Sequence, residues 1–461
     1  MNALIDMPAR EAKPAPFDAG LRKSLLLLFG GALCWLPLAC VLAIVAGVKL
    51  VWPEFLDGIL WLSYGRIAPA ALNLFVYGWA CPVAFGAALW LLARLGRGPI
   101  AGFPALAGTI CWHVGVLLGL CGTLVGLGKP FPLLEFPSFG GQLLLIGALA
   151  FGVVGYELFR ARVVRPIYAS TWYVVAALLW FPWVLVTGCL LMVWAPVPGP
   201  AQAPIAAWFA GGVLHLFLAA VALGVLYYLV PHLLLRRLPS YNVSLLGFWC
   251  FALFGAWAGL SQLIGGPVPV WLVSAGVVSS VLLIIPVWII AINLYGAIKG
   301  APASADVSWP FVLTSIGLFV GVYAEGALLA FPSVSGIFQF TDVVLAHGVL
   351  LVAGFVTFAL FAAIYAIVPS LLGRGWEKGT LPPWHLWLCV SGLGLVFVCL
   401  TLGGMLQGFA QSDANVGFLA SITYVTPFRF LAVLGAVMFF AGTKVFGYHF
   451  LKTLLALPPR S

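Results

Sequence analysis

The sequence predicts an all-α membrane protein with about twelve transmembrane helices, and three observations support this prediction. Of the 461 residues, 64% are hydrophobic and 7% are charged, whereas about a quarter of the residues in ordinary globular domains are charged. Apolar runs close to the roughly 20 residues that a helix needs to cross a bilayer recur along the whole chain. The sequence lacks the alternation of polar and apolar residues that is typical of the strands of an outer-membrane barrel. Helices are the other structure that pairs all backbone groups within lipid.

The predicted spans are separated by short segments rich in proline and glycine, such as residues 195–204, which leave no room for a soluble domain. We therefore expect one transmembrane domain, residues 24–453, between an N-terminal tail, 1–23, and a C-terminal tail, 454–461. A polar and aromatic segment, residues 408–427, is expected to form a surface cap over the bundle. The predicted spans are 24–50, 68–93, 104–127, 140–160, 170–194, 205–230, 244–265, 270–297, 309–331, 343–370, 384–408 and 428–453.

The formal charge of +9 is distributed unevenly between alternate loops. All but four of the 21 Lys and Arg residues fall on one side, and the exceptions are Lys49, Arg66, Lys129 and Arg429. Basic residues concentrate on the cytoplasmic side of membrane proteins, so both termini are predicted to be cytoplasmic, in a bacterial inner membrane. Topology explains the basic charge, and membrane lipid, not nucleic acid, is the expected partner. Residues 1–20 lack the pattern of a cleaved signal peptide.

The nine cysteines lie in or beside the apolar spans, and none forms a C-x-x-C motif. The sequence therefore carries neither a covalent c-type haem site nor a zinc knuckle. Buried small hydrophobic side chains are the expected role of these cysteines.

Ionisable side chains are costly inside a membrane unless they have partners, so the few within the spans are candidate functional residues. They are His113, His215, Glu325, Asp342, His347 and Arg66. Three further histidines lie near cytoplasmic loops, where solvated or interfacial positions are expected: His232, His385 and His449. For His347 two interpretations stand, a histidine hydrogen-bonded in the core or an axial ligand of a metal or haem.

Four stretches, taken in order, resemble subunit I of the haem–copper oxidase superfamily, specifically the cbb-type cytochrome oxidases and their nitric-oxide-reductase relatives. They are YGRIAPAALNLFVYGW (64–79), ALGVLYYLVPHLLLRRLPSYNVSLLGFW (222–249), AWAGLSQLIGGPVPVW (256–271) and FTDVVLAHGVLLVAGF (340–355). The similarity covers nearly the whole chain. It implies a twelve-helix bundle of the subunit I type, in agreement with the count of apolar spans.

The resemblance implies that both axial ligands of a low-spin haem are absent. The second span of the family carries Gly-Arg-x-x-Pro-x-His, whose histidine binds this haem; here Arg66 is kept and Ala71 takes the ligand position. The tenth span carries His-x-His, in which the first histidine binds the high-spin haem and the second binds the low-spin haem. The corresponding residues are His347 and Val349, so His347 is a candidate ligand of a high-spin haem.

The resemblance also implies that the copper site is lost. The histidine of the sixth span falls on Gly211, and the His-His pair of the seventh span falls on Ser261 and Gln262. The cross-linked tyrosine of the cbb-type enzymes, six residues before that pair, falls on Gly255. His215 lies one helical turn after Gly211 on the same face, which leaves two roles open: a copper ligand moved by one turn, or a core histidine with a local hydrogen bond.

Two further positions match the family. Glu325 stands where cbb-type oxidases carry a glutamate near the copper site, and it is either a remnant of a proton relay or a protonated carboxyl group in the core. Arg66 and Glu135 stand where the family holds haem propionates and a calcium ion. Because the second arginine of the family is replaced by Ala68, an exposed structural pairing is as good an interpretation of Arg66 as a propionate contact.

The leading hypothesis is a degenerate relative of subunit I: a pseudoenzyme that keeps the scaffold, holds at most one haem b and no copper, and serves in a respiratory complex. Its expected partners are another membrane subunit or a cytochrome c, and we do not expect it to reduce oxygen on its own. A second hypothesis is an active cytochrome c oxidase or nitric oxide reductase subunit with relocated ligands. A third is a transporter or channel on the same scaffold.

Overall fold

The computed structural model describes residues 18–96, 102–164, 167–377 and 379–455, which are helical and contain no strands. Twelve helices in these residues are long and apolar enough to cross a bilayer, and each predicted span falls on one of them. The all-α prediction is confirmed. The helices are α1 (Ala19–Val51), α2 (Tyr64–Gly96), α3 (Phe103–Leu124), α4 (Ser138–Arg160), α5 (Ala169–Trp194), α6 (Gly199–Leu234), α7 (Tyr241–Leu263), α8 (Val270–Ile298), α9 (Trp309–Leu329), α10 (Asp342–Leu372), α11 (Leu381–Ser412) and α12 (Phe418–Leu455).

Three of these helices form the interior of the bundle. In the apolar stretches of α2, α6 and α10, 94%, 89% and 89% of the residues are buried, compared with 50% or less in every other membrane helix. Helices that are apolar all round belong in such an interior. The same three helices carry Ala71, Gly211, His215, His347 and Val349, so most of the candidate ligand positions face protein and not lipid.

The three inner helices share a local irregularity close to these positions. Each contains a stretch of wider π-helical turns: Leu74–Ala80 in α2, Gly212–Ala219 in α6 and Leu350–Val356 in α10. A π-helical stretch changes the number of residues per turn, and such stretches are frequent at functional sites. They alter which side chains face the centre of the bundle.

An aromatic cluster joins α2 to its neighbours away from the candidate ligands. Phe85 of α2 lies 4.3 Å from Phe151 of α4 and 4.8 Å from Phe217 of α6, measured between ring centroids. Phe181 of α5 stacks on Phe217 at 4.2 Å, and Trp112 of α3 donates a hydrogen bond to a carbonyl oxygen of α2. Buried aromatic rings in tilted or edge contact contribute more to stability than their buried area alone. This part of the core is therefore stabilised by tight aromatic packing.

The prediction of a surface cap at residues 408–427 was wrong. α11 continues to Ser412 and α12 begins at Phe418, so only residues 413–417 connect the two helices. Hydropathy marks where a helix stops being apolar, but α12 begins earlier and packs closely on α11 there: a Cβ on Gly403 would lie 3.1 Å from Cγ1 of Val425. Of the predicted tails, residues 1–17 and 456–461 lie outside the described residues, and 19–23 and 454–455 are helical.

Two of the three histidines expected near solvent are buried. His232 is exposed, as predicted, but His385 and His449 are only 0% and 1% exposed. Tyr365 lies within hydrogen-bonding distance of His385, 3.0 Å between the hydroxyl oxygen and Nδ1. The prediction for these two was wrong because α11 and α12 pack both imidazoles against α10, where Tyr365 lies beside each ring.

Candidate functional site

A cavity of about 250 Å³ lies at the end of the bundle where α10 begins. Its walls come from α6 to α10 and from the short helix Pro332–Phe338, which connects α9 to α10. Four residues that the sequence analysis singled out line it together: His215, Ser261, Gln262 and His347. We call it the His347 cavity.

His347 is held by a carboxylate. Its Nδ1 lies 3.2 Å from Oε2 of Glu325, and the two side chains are 24% and 18% exposed. The imidazole lies across Gly326 of α9, where a Cβ would stand 2.9 Å from its Cε1 atom. An ionised carboxylate only accepts hydrogen bonds, so with Glu325 ionised this bond requires the proton of His347 on Nδ1. The described residues leave the other ring nitrogen, Nε2, without a hydrogen-bond partner.

His215 is held by a phenol that the sequence analysis missed. Its Nδ1 lies 2.9 Å from the hydroxyl oxygen of Tyr323, which is 4% exposed on α9. Tyr323 stands two residues before Glu325, so α9 supplies the partner of both cavity histidines. The available signal was a tyrosine within an apolar span, close to a shortlisted glutamate.

Two of the positions expected for side chains of the copper site, Gly211 and Gly255, lie at a close contact between α6 and α7. A Cβ on Gly259 of α7 would lie 2.5 Å from the carbonyl oxygen of Ala207, and a Cβ on Gly211 would lie 3.3 Å from the Cα of Gly259. A Cβ on Gly255 would lie 3.3 Å from Cβ of His215. Helices α6 and α7 therefore pack closely at two positions where the family carries side chains: Gly211 faces the backbone of Gly259, and Gly255 faces the side chain of His215.

The other two positions expected for copper ligands hold Ser261 and Gln262, which form hydrogen bonds with other protein groups. Ser261 donates to the carbonyl oxygen of Ala258 at 2.8 Å and lies 3.1 Å from the hydroxyl of Ser280. The backbone carbonyl of Gln262 accepts from the side-chain amide of Gln339. Hydroxyl and amide groups are poor substitutes for imidazole toward copper. Within the described residues, no group of three or more His, Cys, Asp or Glu side chains could hold a metal ion, so a copper ion does not fit this site.

A low-spin haem does not fit either, because its two ligand positions carry no donor atom. Ala71 is 6% exposed and belongs to the main hydrophobic core, and Val349 packs against the same core. An aliphatic side chain cannot bind iron.

A single haem on His347 fits by its donor atom. An axial imidazole commonly donates its second N–H to a carboxylate, and Glu325 occupies that place. The His347 cavity itself measures about 250 Å³, below the roughly 300–1,000 Å³ of pockets for drug-sized ligands. A haem at His347 therefore also requires the cavity to widen.

Arg66 and Glu135 lie apart from the His347 cavity. Arg66 donates to the carbonyl oxygen of Leu124 at 3.2 Å, which is a structural pairing with the end of α3. Glu135, in the loop between α3 and α4, accepts a hydrogen bond from the side-chain amide of Asn73 at 2.6 Å. Burial raises the pKa of Glu135, and the hydrogen bond from Asn73 lowers this pKa in part. The Glu135 carboxyl group thus ties the loop to α2.

His113 is also remote from the cavity. Trp35 of α1 donates to its Nδ1 at 3.1 Å, and the ring fills the space above Gly31, where a Cβ would lie 2.5 Å from the imidazole. Its position between α1 and α3 agrees with the core role expected for it.

Comparison with known proteins identifies the family. The sequence model of the cytochrome C and quinol oxidase polypeptide I family matches residues 23–438, most of the chain. The chain belongs to this family.

The relatives of this oxidase polypeptide I member include cbb-type enzymes. Cbb3-type cytochrome c oxidase subunit CcoN1 of Stutzerimonas stutzeri is 26% identical, over 91% of this chain and 92% of its own length. Cytochrome c oxidase subunit 1 of Rhodobacter capsulatus is 23% identical, over 97% of this chain and 88% of its own length. A cryo-EM structure of a haem–copper terminal oxidase dimer shares the fold, with a TM-score of 0.78 and 14% identity, over 96% of this chain and 86% of the other.

These similarities confirm the resemblance to subunit I of the haem–copper oxidases and to its cbb-type branch. Together with the twelve apolar helices in the described residues, they indicate a multi-pass bacterial membrane protein. The family in general binds haem and copper.

Proposed function

We propose that this chain is a subunit I homologue that does not reduce oxygen and serves as a membrane partner in a respiratory complex. The proposal rests on one observation above all: none of the positions expected for the copper ligands carries an imidazole. At one of them, Gly211, a Cβ would already lie 3.3 Å from the Cα of Gly259, so α6 and α7 pack closely there. Oxygen reduction of the family type needs a haem and a copper facing each other, and only one of the two has a donor here.

The same proposal assigns His347 as the ligand of a single five-coordinate haem b. Its support is the Glu325 carboxylate on Nδ1, which fixes the tautomer and leaves the Nε2 lone pair as the donor. When bound, such a haem supplies an open iron position and a one-electron redox centre. The residues of the chain would orient the ring through Glu325 and Gly326, and Tyr323 would keep the second imidazole turned toward α9.

The assignment to a respiratory complex is supported by the retained scaffold and by the relatives, several of which are named as oxidase subunits. A chain that keeps the twelve-helix bundle without the copper ligands also keeps the outer surface that another membrane subunit or a cytochrome c would contact.

One observation favours the transporter or channel as second candidate. The His347 cavity is polar on one side, with His215, Ser261, Gln262 and Ser280 in its lining, and its volume suits a small solute better than a haem. The two candidates differ in whether iron is bound at His347.

Oxygen uptake by the purified full-length chain tests the proposal. With excess chemical reductant and a redox mediator, we expect no uptake above that of mediator alone, while a cbb-type oxidase prepared in parallel consumes oxygen. Uptake by this chain that is sensitive to cyanide and scales with protein concentration would contradict the proposal and support the hypothesis of relocated ligands.

A further inference from the structure

A buried ion pair joins α10 to α12 near the His347 cavity. Arg429 of α12 donates twice to Asp342, from Nε to Oδ2 at 2.7 Å and from Nη2 to Oδ1 at 2.9 Å. The two side chains are only 12% and 11% exposed. A two-pronged guanidinium–carboxylate bond fixes orientation as well as distance, so the pair defines how α10 sits against α12.

The same end of α10 is also fixed to α11. The backbone N–H of Asp342 donates to the side-chain oxygen of Gln407 at 3.2 Å. A Cβ on Gly404 would lie 2.4 Å from the backbone nitrogen of Val343, so the two helices touch there without side chains between them. The first turn of α10 is therefore held from two sides, by α11 and by the guanidinium of α12.

His347 lies in the next turn of the helix. Thr341 caps the helix by accepting from the N–H of Val343, and His347 follows Asp342 by five residues, about 7.5 Å along the axis of a regular helix. The π-helical stretch of α10 begins only at Leu350, so no irregular turn separates the ion pair from the imidazole. A rotation or shift of the helix start is transmitted directly to the imidazole.

We propose that Arg429 is a positioning residue for His347: by clamping Asp342 it sets the rotation of α10 that places Nδ1 of His347 on the Glu325 carboxylate. This inference rests on the proposal that His347 is the functional residue of the His347 cavity, but it concerns the geometry of the imidazole and not the presence of a haem. A buried ion pair is weak evidence for stability as such, because a well-packed apolar replacement often serves equally well. Fixing one orientation is the property that such a replacement would lose.

The test uses the full-length chain in lipid vesicles with ¹⁵N-labelled histidine and solid-state NMR. The His347 resonances are assigned by their loss in His347→Ala, and the Glu325→Ala protein provides the signal of an imidazole without its carboxylate. The test variant combines Arg429→Met with Asp342→Asn, which removes both charges and leaves no buried charge unpaired. Lys129→Ala removes another cation of the same side, one that donates to Ser138, and is the matched control.

We expect the double variant to move the Nδ1 signal of His347 to the Glu325→Ala position in more than half of the molecules, with the signals of His113 and His385 unchanged. The control keeps the signal of the unaltered chain. A folded double variant with an unchanged His347 signal would overturn the proposal. If the double variant does not fold, Arg429→Lys decides, because an ammonium group cannot make the two-pronged bond: a shifted or split His347 signal supports the proposal, and an unchanged one overturns it. The NMR measurement does not require haem for either variant. This test and the oxygen-uptake test can therefore fail separately.

Discussion

The role of each histidine in this bundle depends on the groups that hold its ring nitrogens. The Glu325 carboxyl group is hydrogen-bonded to Nδ1 of His347, and the Tyr323 hydroxyl is hydrogen-bonded to Nδ1 of His215. Trp35 donates a hydrogen bond to His113, and neither residue lines the His347 cavity. The sequence indicated which ionisable residues to examine, because charges within apolar spans are rare. It could not pair them, because pairing depends on which faces of two helices meet: Glu325 and His347 lie on consecutive helices, whereas His215 and Tyr323 are 108 residues apart.

The pairing of His347 with Glu325 makes a prediction about haem affinity. We expect His347→Ala to abolish binding of added haem by the purified chain. Glu325→Ala should weaken binding by about 10–100-fold, the usual effect of removing a carboxylate behind a ligating imidazole. Titration with haemin, followed by its absorbance, measures both, with His113→Ala as a control that should bind like the unaltered chain. Equal binding by the His347→Ala protein would show that the ligand is elsewhere.

The buried carboxyl group of Glu135 makes a prediction about pH. Burial raises its pKa in the folded protein above the unfolded value, so ionisation destabilises the folded state at neutral pH, and this penalty vanishes below the unfolded pKa of about 4. Glu135→Gln should therefore raise the melting temperature at pH 7–8, and the gain should shrink to nothing near pH 4. Melting curves in detergent across this range measure the difference. A gain that is independent of pH, or a loss at pH 8, would contradict the assignment.

At the scale of helices, the sequence located every membrane span but not the direction of its side chains. His215 lies within a π-helical stretch, so a period of 3.6 residues could not predict that it faces the cavity beside Tyr323. The extension of α12 before its apolar stretch could not be predicted from hydropathy, since it involves close packing such as that of Val425 on Gly403 of α11. Helix existence follows from composition, whereas orientation follows from packing.

The close approach of α6 and α7 predicts that the copper site cannot be rebuilt by restoring one ligand. Gly211→His should bind no copper and should lower the melting temperature, because overpacking a tight contact costs about 1–3 kcal/mol. Gly259→Ala should be destabilising for the same reason, since its Cβ would meet a carbonyl oxygen at 2.5 Å. Gly317→Ala, on an open face of α9, is the control and should be neutral or slightly stabilising. A stable Gly211→His protein that takes up stoichiometric copper would refute this account of the site.

For the whole molecule, composition and the positions of charge carry most of the predictable information. An apolar chain of this length has few ways to fold in a membrane, so the twelve-helix class followed from hydropathy alone. The proposed loss of oxygen reduction does not follow from composition. It rests on six particular positions, Ala71, Gly211, Gly255, Ser261, Gln262 and Val349, whose significance comes from the family pattern.

The distribution of lysine and arginine predicts the orientation of the whole bundle. A reporter protein that fluoresces only in the cytoplasm, fused after Ser461, should be bright, and a phosphatase active only outside the cytoplasm should be inactive at the same position. A phosphatase inserted in the loop of residues 413–417, between α11 and α12, should be active. The reverse pattern would place the His347 cavity on the cytoplasmic side and would contradict the predicted topology.

The metal content of the purified chain tests the central claim most directly. Iron and copper per polypeptide, measured by plasma mass spectrometry together with a reduced-minus-oxidised spectrum, should give no copper, at most one haem and no band of a bis-histidine haem. Two haems and one copper per chain, with the bis-histidine band present, would contradict the account.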